Sequence, residues 1–192
     1  MSPLGRVRPR TSFHKGIERW TKRGRGKLAA VQIRDAEPAD WPAIWPFLHR
    51  IVRAGDTYTW EPDVTEEQAR ELWMGAPPWR TVVAVDDDGA VVGSAKFGPN
   101  HMGPASHIAN ASFMVDPDRS GRGIGRALGE HVLAEARADG FRAMQFNAVV
   151  ETNTGAVALW RSLGFEVIAT LPEGFRHPTD GDVGLHIMFR RL

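Results

Sequence analysis

The chain has 192 residues with 24 Lys and Arg, 23 Asp and Glu and no cysteine, which excludes disulfides, thiolate metal sites and a cysteine nucleophile and suits one domain with a substantial core. No run of about 18 apolar residues offers a membrane span, and no signal-peptide core is present, which points to the cytoplasm. The net charge of +1 hides an asymmetry: residues 1–30 hold nine Lys or Arg and one acid, leaving −7 on the other 162.

Residues 1–30 mix Arg, Lys, Gly and Pro with little apolar periodicity, and we read them as a basic, disordered extension. Such an arm could touch nucleic acid or an acidic partner, although a dispensable leader is the simpler account. Residues 31–34 alternate as a strand. A helix opens at Pro38 or Asp40, with apolar positions at Trp41, Ile44, Trp45, Leu48 and Val52. Thr65-Glu66-Glu67-Gln68 forms a capping box for a second helix through Leu72 and Trp73. Between the two helices lies a polar and aromatic loop, residues 56–60, which holds the chain's single tyrosine, Tyr58.

Two β-branched runs, residues 81–85 and 90–97, are joined by the turn Asp86-Asp87-Asp88-Gly89. Residues 107–115 form another strand and lead into a glycine-rich bend. The next helix carries Ile124, Leu128, Val132 and Ala136 on one face and stops at Gly140. A strand over 143–150, a helix over 154–163 ended by Gly164, and two strands over 166–169 and 184–189 complete the chain. The last pair flanks a polar loop, residues 172–182. The order β-α-α-β-β-β-α-β-α-β-β implies a mixed sheet with helices on both faces, an α/β architecture.

The bend reads Ser120-Gly121-Arg122-Gly123-Ile124-Gly125-Arg126 and lies between a strand and a helix. Its glycines expose backbone N–H groups at the positive end of the helix dipole, which suits an anion. Two arginines add charge. No Lys-Ser or Lys-Thr follows, so the stretch is not a phosphate-binding loop of the nucleoside triphosphatases. The spacing G-x-G-x-G also departs from the dinucleotide fingerprint.

Together with Asn153-x-x-Ala156-x-x-Leu159-Trp160-x-x-x-Gly164-Phe165, this stretch resembles the GNAT superfamily of N-acetyltransferases over residues 31–192. The resemblance implies that family's fold: a mostly antiparallel central sheet, splayed between its fourth and fifth strands, with helices on both faces. It implies acetyl-CoA as donor, its pyrophosphate held around Ser120, Gly121, Arg122, Gly123, Ile124, Gly125 and Arg126. The pantetheine arm would lie in the splay against the backbone near Met114 and Val115, with Asn153 and Trp160 beside it. Asn153 also suits a helix N-cap. Two departures stand out. Ser120 replaces the Arg or Gln that begins the family's glycine motif, and Trp160 replaces the tyrosine that protonates the departing thiolate in many relatives. Indole is not a general acid, so we read Trp160 as a packing wall.

Residues 107–113, 146–149 and 151–154 more narrowly resemble acetyltransferases of azetidine-2-carboxylate and related amino acids. By that resemblance Asn110 orients the acceptor amine or carboxylate, and Asn147 on the neighbouring strand is a second substrate contact. Tyr58 lies in the loop that approaches the acceptor pocket in this family and could donate a proton. Glu151 is the carboxylate placed to act as base, and Arg176 could pair with a substrate carboxylate. His101, His107, His177 and His186 lack metal-ligand spacing, so no metal is expected. The function implied is direct acetyl transfer to the amine of a small molecule, probed against protein acetylation and non-catalytic acetyl-CoA binding as alternatives. A homodimer is the family expectation.

Overall fold

The computed structural model describes residues 31–192, and the basic extension read over residues 1–30 lies outside the described residues. The elements in order are β1 (Gln32–Asp35), α1 (Trp41–Ala54), α2 (Glu66–Trp73), β2 (Arg80–Val85), β3 (Val91–Pro99), β4 (Ile108–Val115), α3 (Ile124–Ala138), β5 (Ala143–Val150), α4 (Thr154–Ser162), β6 (Glu166–His177) and β7 (Gly181–Arg191). The described strands form one sheet in the order β1-β2-β3-β4-β5-β7-β6, antiparallel at every junction except β4 with β5.

Strand alternation divides the core between the two faces. Val82, Ala84, Ala95 and Phe97 point to one face, where they meet Ile124, Leu128, Val132 and Ala136 of α3 and Val157 and Trp160 of α4. Val83 and Met114 point to the other, against Ile44, Leu48 and Val52 of α1 and Trp73 of α2. The α3 stripe read from the sequence is buried throughout, whereas in α1 Trp45 is only half-buried and Phe47 is buried as well; each fully buried Val or Leu contributes about 1.5–3 kcal/mol.

Local chemistry fixes the helix ends. Thr65 accepts from the Gln68 N–H while the Gln68 side chain accepts from the Thr65 N–H, which starts α2. Before α1, Glu37 N–H donates to Asp40, and the Arg34 guanidinium grips the same carboxylate with two bonds of 2.7 Å. Arg80 ties the far end of α3 to the sheet by bonding Asp35, Glu135 and Asp139.

One expectation is overturned. Residues 172–182 are not a loop between short strands: β6 runs on to His177, only residues 178–180 turn, and β7 begins at Gly181. Between Leu171 and Phe175, β6 holds two more residues than its partner stretch Val183–Leu185. Pro172, Glu173 and Gly174 bulge out there, with Glu173 at φ 54°. A hairpin exposed along most of β6 carries no apolar alternation, so pattern alone stops at residue 169.

Candidate active site

The sheet opens between β4 and β5. The two strands pair only at Ile108 with Ala143 and Ala109 with Met144, and they part from Asn110 onward. The register of β4 on β3 is unbroken from Pro99–Ala109 to Gly93–Val115. Its ends are fixed by Asn100 N–H donating to Ile108 O (2.8 Å) and Asp116 N–H donating to Val92 O (3.0 Å). In an antiparallel ladder alternate residues bond a given neighbour. The even-numbered residues of β4 therefore bond β3, and Ala111, Phe113 and Val115 turn their backbone groups into the gap. Met114, expected beside Val115 as a backbone contact, presents its peptide groups to β3 and its side chain to the α1/α2 core.

At one end of the gap lies the glycine bend. Gly121 and Gly123 adopt φ of 74° and 81°, which only glycine takes without strain. Gly123 is the N-cap of α3 and contributes no side-chain cap. The first helical bond is from Ala127 N–H to Gly123 O, so the amides of Ile124, Gly125 and Arg126 have no partner within the helix. Arg126 bonds the Ser162 hydroxyl and approaches Glu130 at 3.6 Å. Arg50 of α1 forks onto Asp118 (2.8 and 3.0 Å) in the turn just before the bend.

The α3/α4 side of the gap is aromatic. Trp160 is 7% exposed, with ring centroids 4.7 Å from Phe113 and 4.9 Å from Phe146. Phe146 in turn stacks on Phe165 at 4.2 Å. Space for the indole comes from Gly129 of α3, where a Cβ would sit 3.2 Å from the Trp160 ring and 2.7 Å from Leu163. Asn153 caps α4 by accepting from Ala156 N–H (3.1 Å) and also lines the gap.

On the opposite side, the loop between α1 and α2 brings Thr57, Tyr58, Thr59 and Trp60 over the strands. The Tyr58 hydroxyl donates to Phe113 O (2.9 Å), one of the gap-facing carbonyls. Burial pushes this phenol well above its ordinary pKa, and its bonds to Phe113 O and the Ser112 hydroxyl offset that only in part. Asn110 and Ser112 of β4 point to the same side, partly buried. Among the described residues the Asn110 amide has no hydrogen-bonding partner, so it is available to a ligand. Asn147 faces it from β5, at a bulge where Phe146 pairs with Met188 and Val149 with His186. The glycines of the bend, Asn153, Trp160, residues 57–60, Asn110, Ser112 and Asn147 line one continuous cleft of about 1170 Å³.

The structure therefore brings together Asn110, Tyr58, Asn147, Met114, Val115, Ser120, Gly121, Gly123, Ile124, Gly125, Arg126, Asn153 and Trp160. It places the other three residues read from the sequence elsewhere. Arg122 lies outside the cleft lining. Glu151 accepts from Gly184 N–H (3.2 Å) on β7 and returns its own N–H to Gly184 O (2.9 Å). Arg176 lies on β6, highly exposed, beside Asp182 at 3.3 Å. Ser112, Thr57, Thr59 and Trp60 line the cleft without having been singled out. Two threonines and a tryptophan in a loop, and one serine on a strand, carry no spacing signal that could have marked them.

The residues present fit a CoA thioester. Unpaired backbone groups along the β4 edge match a chain of amides, and the uncapped amides of α3 match phosphates. Comparisons with known proteins agree. The acetyltransferase (GNAT) family model matches residues 41–165. The L-amino acid N-acyltransferase MnaT of Escherichia coli is 31% identical over 74% of this chain and 84% of its own length. The N-acetyltransferase aca1 of Schizosaccharomyces pombe is 28% identical over 62% of this chain, and the match spans 64% of that relative, just under two thirds. A GCN5-related N-acetyltransferase from Kribbella flavida superposes with a TM-score of 0.82 at 60% identity, covering 84% of this chain and 98% of that one. A phosphinothricin acetyltransferase from Sinorhizobium meliloti in complex with acetyl-CoA gives 0.75 at 26% identity, covering 84% and 88%. The splayed sheet, the uncapped glycine bend and these matches converge: the chain belongs to the acetyltransferase (GNAT) family.

Proposed function

We propose that this chain transfers acetyl from acetyl-CoA directly to the amine of a small molecule of the amino-acid class. The observation that carries the reading is the single cleft in which the anion-binding bend and the Tyr58, Asn110 and Asn147 amide-and-phenol cluster share one wall, β4. The names of the relatives, an L-amino acid acyltransferase and a phosphinothricin acetyltransferase, support the acceptor class.

When bound, acetyl-CoA supplies a thioester carbonyl and a thiolate leaving group. The gap-facing N–H groups of β4 can hold the acyl oxygen as it gains negative charge. Asn110, whose amide has no partner among the described residues, orients the incoming amine, which must arrive neutral. Among the described residues Asp56 is the one carboxylate lining the cleft, and Glu151, engaged with Gly184, lies outside that lining; the surplus proton of the amine leaves to water. Trp160 has no acidic proton to return to the thiolate. Tyr58 lines the cleft with a phenol proton that it can pass to the thiolate, recovering one from solvent. The absence of cysteine removes the commonest acyl-enzyme route and favours direct transfer.

The same reading takes the protein as a homodimer that works in the cytoplasm. Ile168 and Leu171, 55% and 58% exposed on the edge strand β6, support association. Light scattering would read the oligomer directly. Arg122 and Arg176 are retained as outer contacts for phosphate and carboxylate. The mechanism is tested by initial rates with both substrates varied: intersecting double-reciprocal lines are expected, whereas parallel lines would show an acyl-enzyme and overturn direct transfer.

A further inference from the structure

At the edge of the cleft, Asn147 is the middle member of a chain of three side-chain amides, whose other two members, Gln145 and Asn100, the proposed chemistry does not use. Gln145 Nε2 donates to Asn147 Oδ1 at 2.7 Å, and Asn147 Nδ2 donates to Asn100 Oδ1 at 2.7 Å. Asn100 itself does not line the cleft. It follows β3 and is anchored by its own N–H to Ile108 O (2.8 Å), at the root of the splay. Its side chain thus reaches from the β3/β4 side to β5, just past the last backbone pair that joins β4 to β5, Ala109 with Met144.

Asn147 needs such support. It sits in the β5 bulge, where the ladder to β7 is broken between Phe146 and Val149, and its residue is exposed. An exposed asparagine on an irregular strand would sample several rotamers, and holding a ligand would then cost the entropy of fixing it. The two amide partners fix it beforehand. Turning all three amides over would keep every pair, and in either sense Asn147 retains one N–H and one carbonyl lone pair for the cleft.

We infer that Asn100 is a positioning residue for the acceptor: it braces Asn147 across the root of the splay, and acceptor affinity depends on that brace. This rests on the reading that Asn147 faces the acceptor. A role confined to folding would instead alter both substrates or the melting temperature.

The test uses the full chain with acetyl-CoA as donor and, as acceptor, the L-amino acid turned over fastest in a screen that follows CoA thiol release. Asn100→Ala is expected to raise the acceptor KM about tenfold, the scale of one lost hydrogen bond plus an unpaired group. The acetyl-CoA KM should stay within about twofold. Asn100→Asp, whose carboxylate still accepts from Asn147 Nδ2, is expected to restore the wild-type acceptor KM to within about threefold. Equal rises in both KM values, or no rise in Asn100→Ala, would overturn the inference. If Asn147→Ala also leaves the acceptor KM unchanged, the underlying reading of Asn147 has failed. If Asn147→Ala raises it and Asn100→Ala does not, only the brace has failed. A measurement independent of turnover is the side-chain NH2 signal of Asn147 in 15N-labelled protein. Two well-separated, exchange-protected protons are expected, and these should merge toward an exposed amide in Asn100→Ala. An unchanged signal would overturn the brace.

Discussion

Gly129 offers a test of how the donor wall is built, because two effects of known size oppose each other there. Replacing a helical glycine by alanine gains about 1 kcal/mol of helix propensity in an exposed interior position. In α3, however, the new Cβ would lie 2.7 Å from Leu163 Cδ1 and 3.2 Å from the Trp160 ring. The Leu163 methyl can yield, but Leu163 and Trp160 are 8% and 7% exposed, and the indole is held by Phe113 and Phe146. Overpacking of that kind costs about 1–3 kcal/mol. The net expectation for Gly129→Ala is a loss of about 1 kcal/mol. At about 2–4 °C per kcal/mol for a chain of this size, that lowers Tm by about 3 °C.

Gly155 of α4 is the control, since a Cβ there meets nothing within 4 Å. Gly155 is the second residue of α4 and lines the cleft, so it controls for stability alone, and Gly155→Ala should raise Tm by no more than about 3 °C through propensity. Calorimetry on both variants reads the difference, and acetyl-CoA titration reads the consequence for the site. A Trp160 ring pushed toward the cleft should weaken acetyl-CoA binding about threefold or more. A Gly129→Ala Tm that rises together with the control would refute the close packing of α3 on Trp160.

Three further outcomes follow from the same geometry. Asn110→Ala should lower kcat/KM for the acceptor by about 10- to 100-fold while sparing acetyl-CoA binding, because its amide has no structural bond to lose; a rate near wild type would remove the role assigned to it. Tyr58→Phe should lower kcat more than either KM and leave Phe113 O without its donor. If kcat is unchanged, Tyr58 packs the cleft without supplying a proton. Asp40→Asn gives up the two-pronged bond from Arg34, which holds the Asp40 carboxyl below the ordinary carboxylate range. A group depressed in the folded state stabilises above its unfolded pKa and loses that contribution as pH falls through its folded value. Urea melts should therefore show wild type losing stability below about pH 4, with a flatter profile in Asp40→Asn; parallel profiles would contradict the assignment.

How far the sequence reaches depends on whether a feature is written in side chains or in backbone. Ile124, Leu128, Val132 and Ala136 mark the buried stripe of α3 by spacing alone, and the Thr65–Gln68 box marks the start of α2. The glycine bend is legible because positive φ at Gly121 and Gly123 needs glycine. The donor edge itself is not legible. Ala111, Phe113 and Val115 serve through their peptide groups, and only the register of β4 on β3 shows which groups face the gap. The resemblance pointed to the backbone near Met114 and Val115; both line the cleft, and strand parity turns the peptide groups of Val115, with those of Ala111 and Phe113, into the gap. Glu151 is an acid in a plausible place by sequence, yet the antiparallel approach of β7 brings Gly184 N–H to it. The length of β6 was hidden because Pro172 and Gly174 signal a loop unless a bulge absorbs them. Asn100 illustrates the remaining limit: a lone asparagine after Gly98-Pro99 gains meaning only when the fold sets it against Asn147.

The most direct test of the central claim is a screen of free amines, L-amino acids included, that follows CoA thiol release from acetyl-CoA and identifies the product by mass. The account predicts thiol release matched one for one by an N-acetylated amino acid, and its loss when the gap is occupied by desulfo-CoA. Acetyl-CoA binding with no thiol release for any small amine, or acetylation confined to protein substrates, would contradict it.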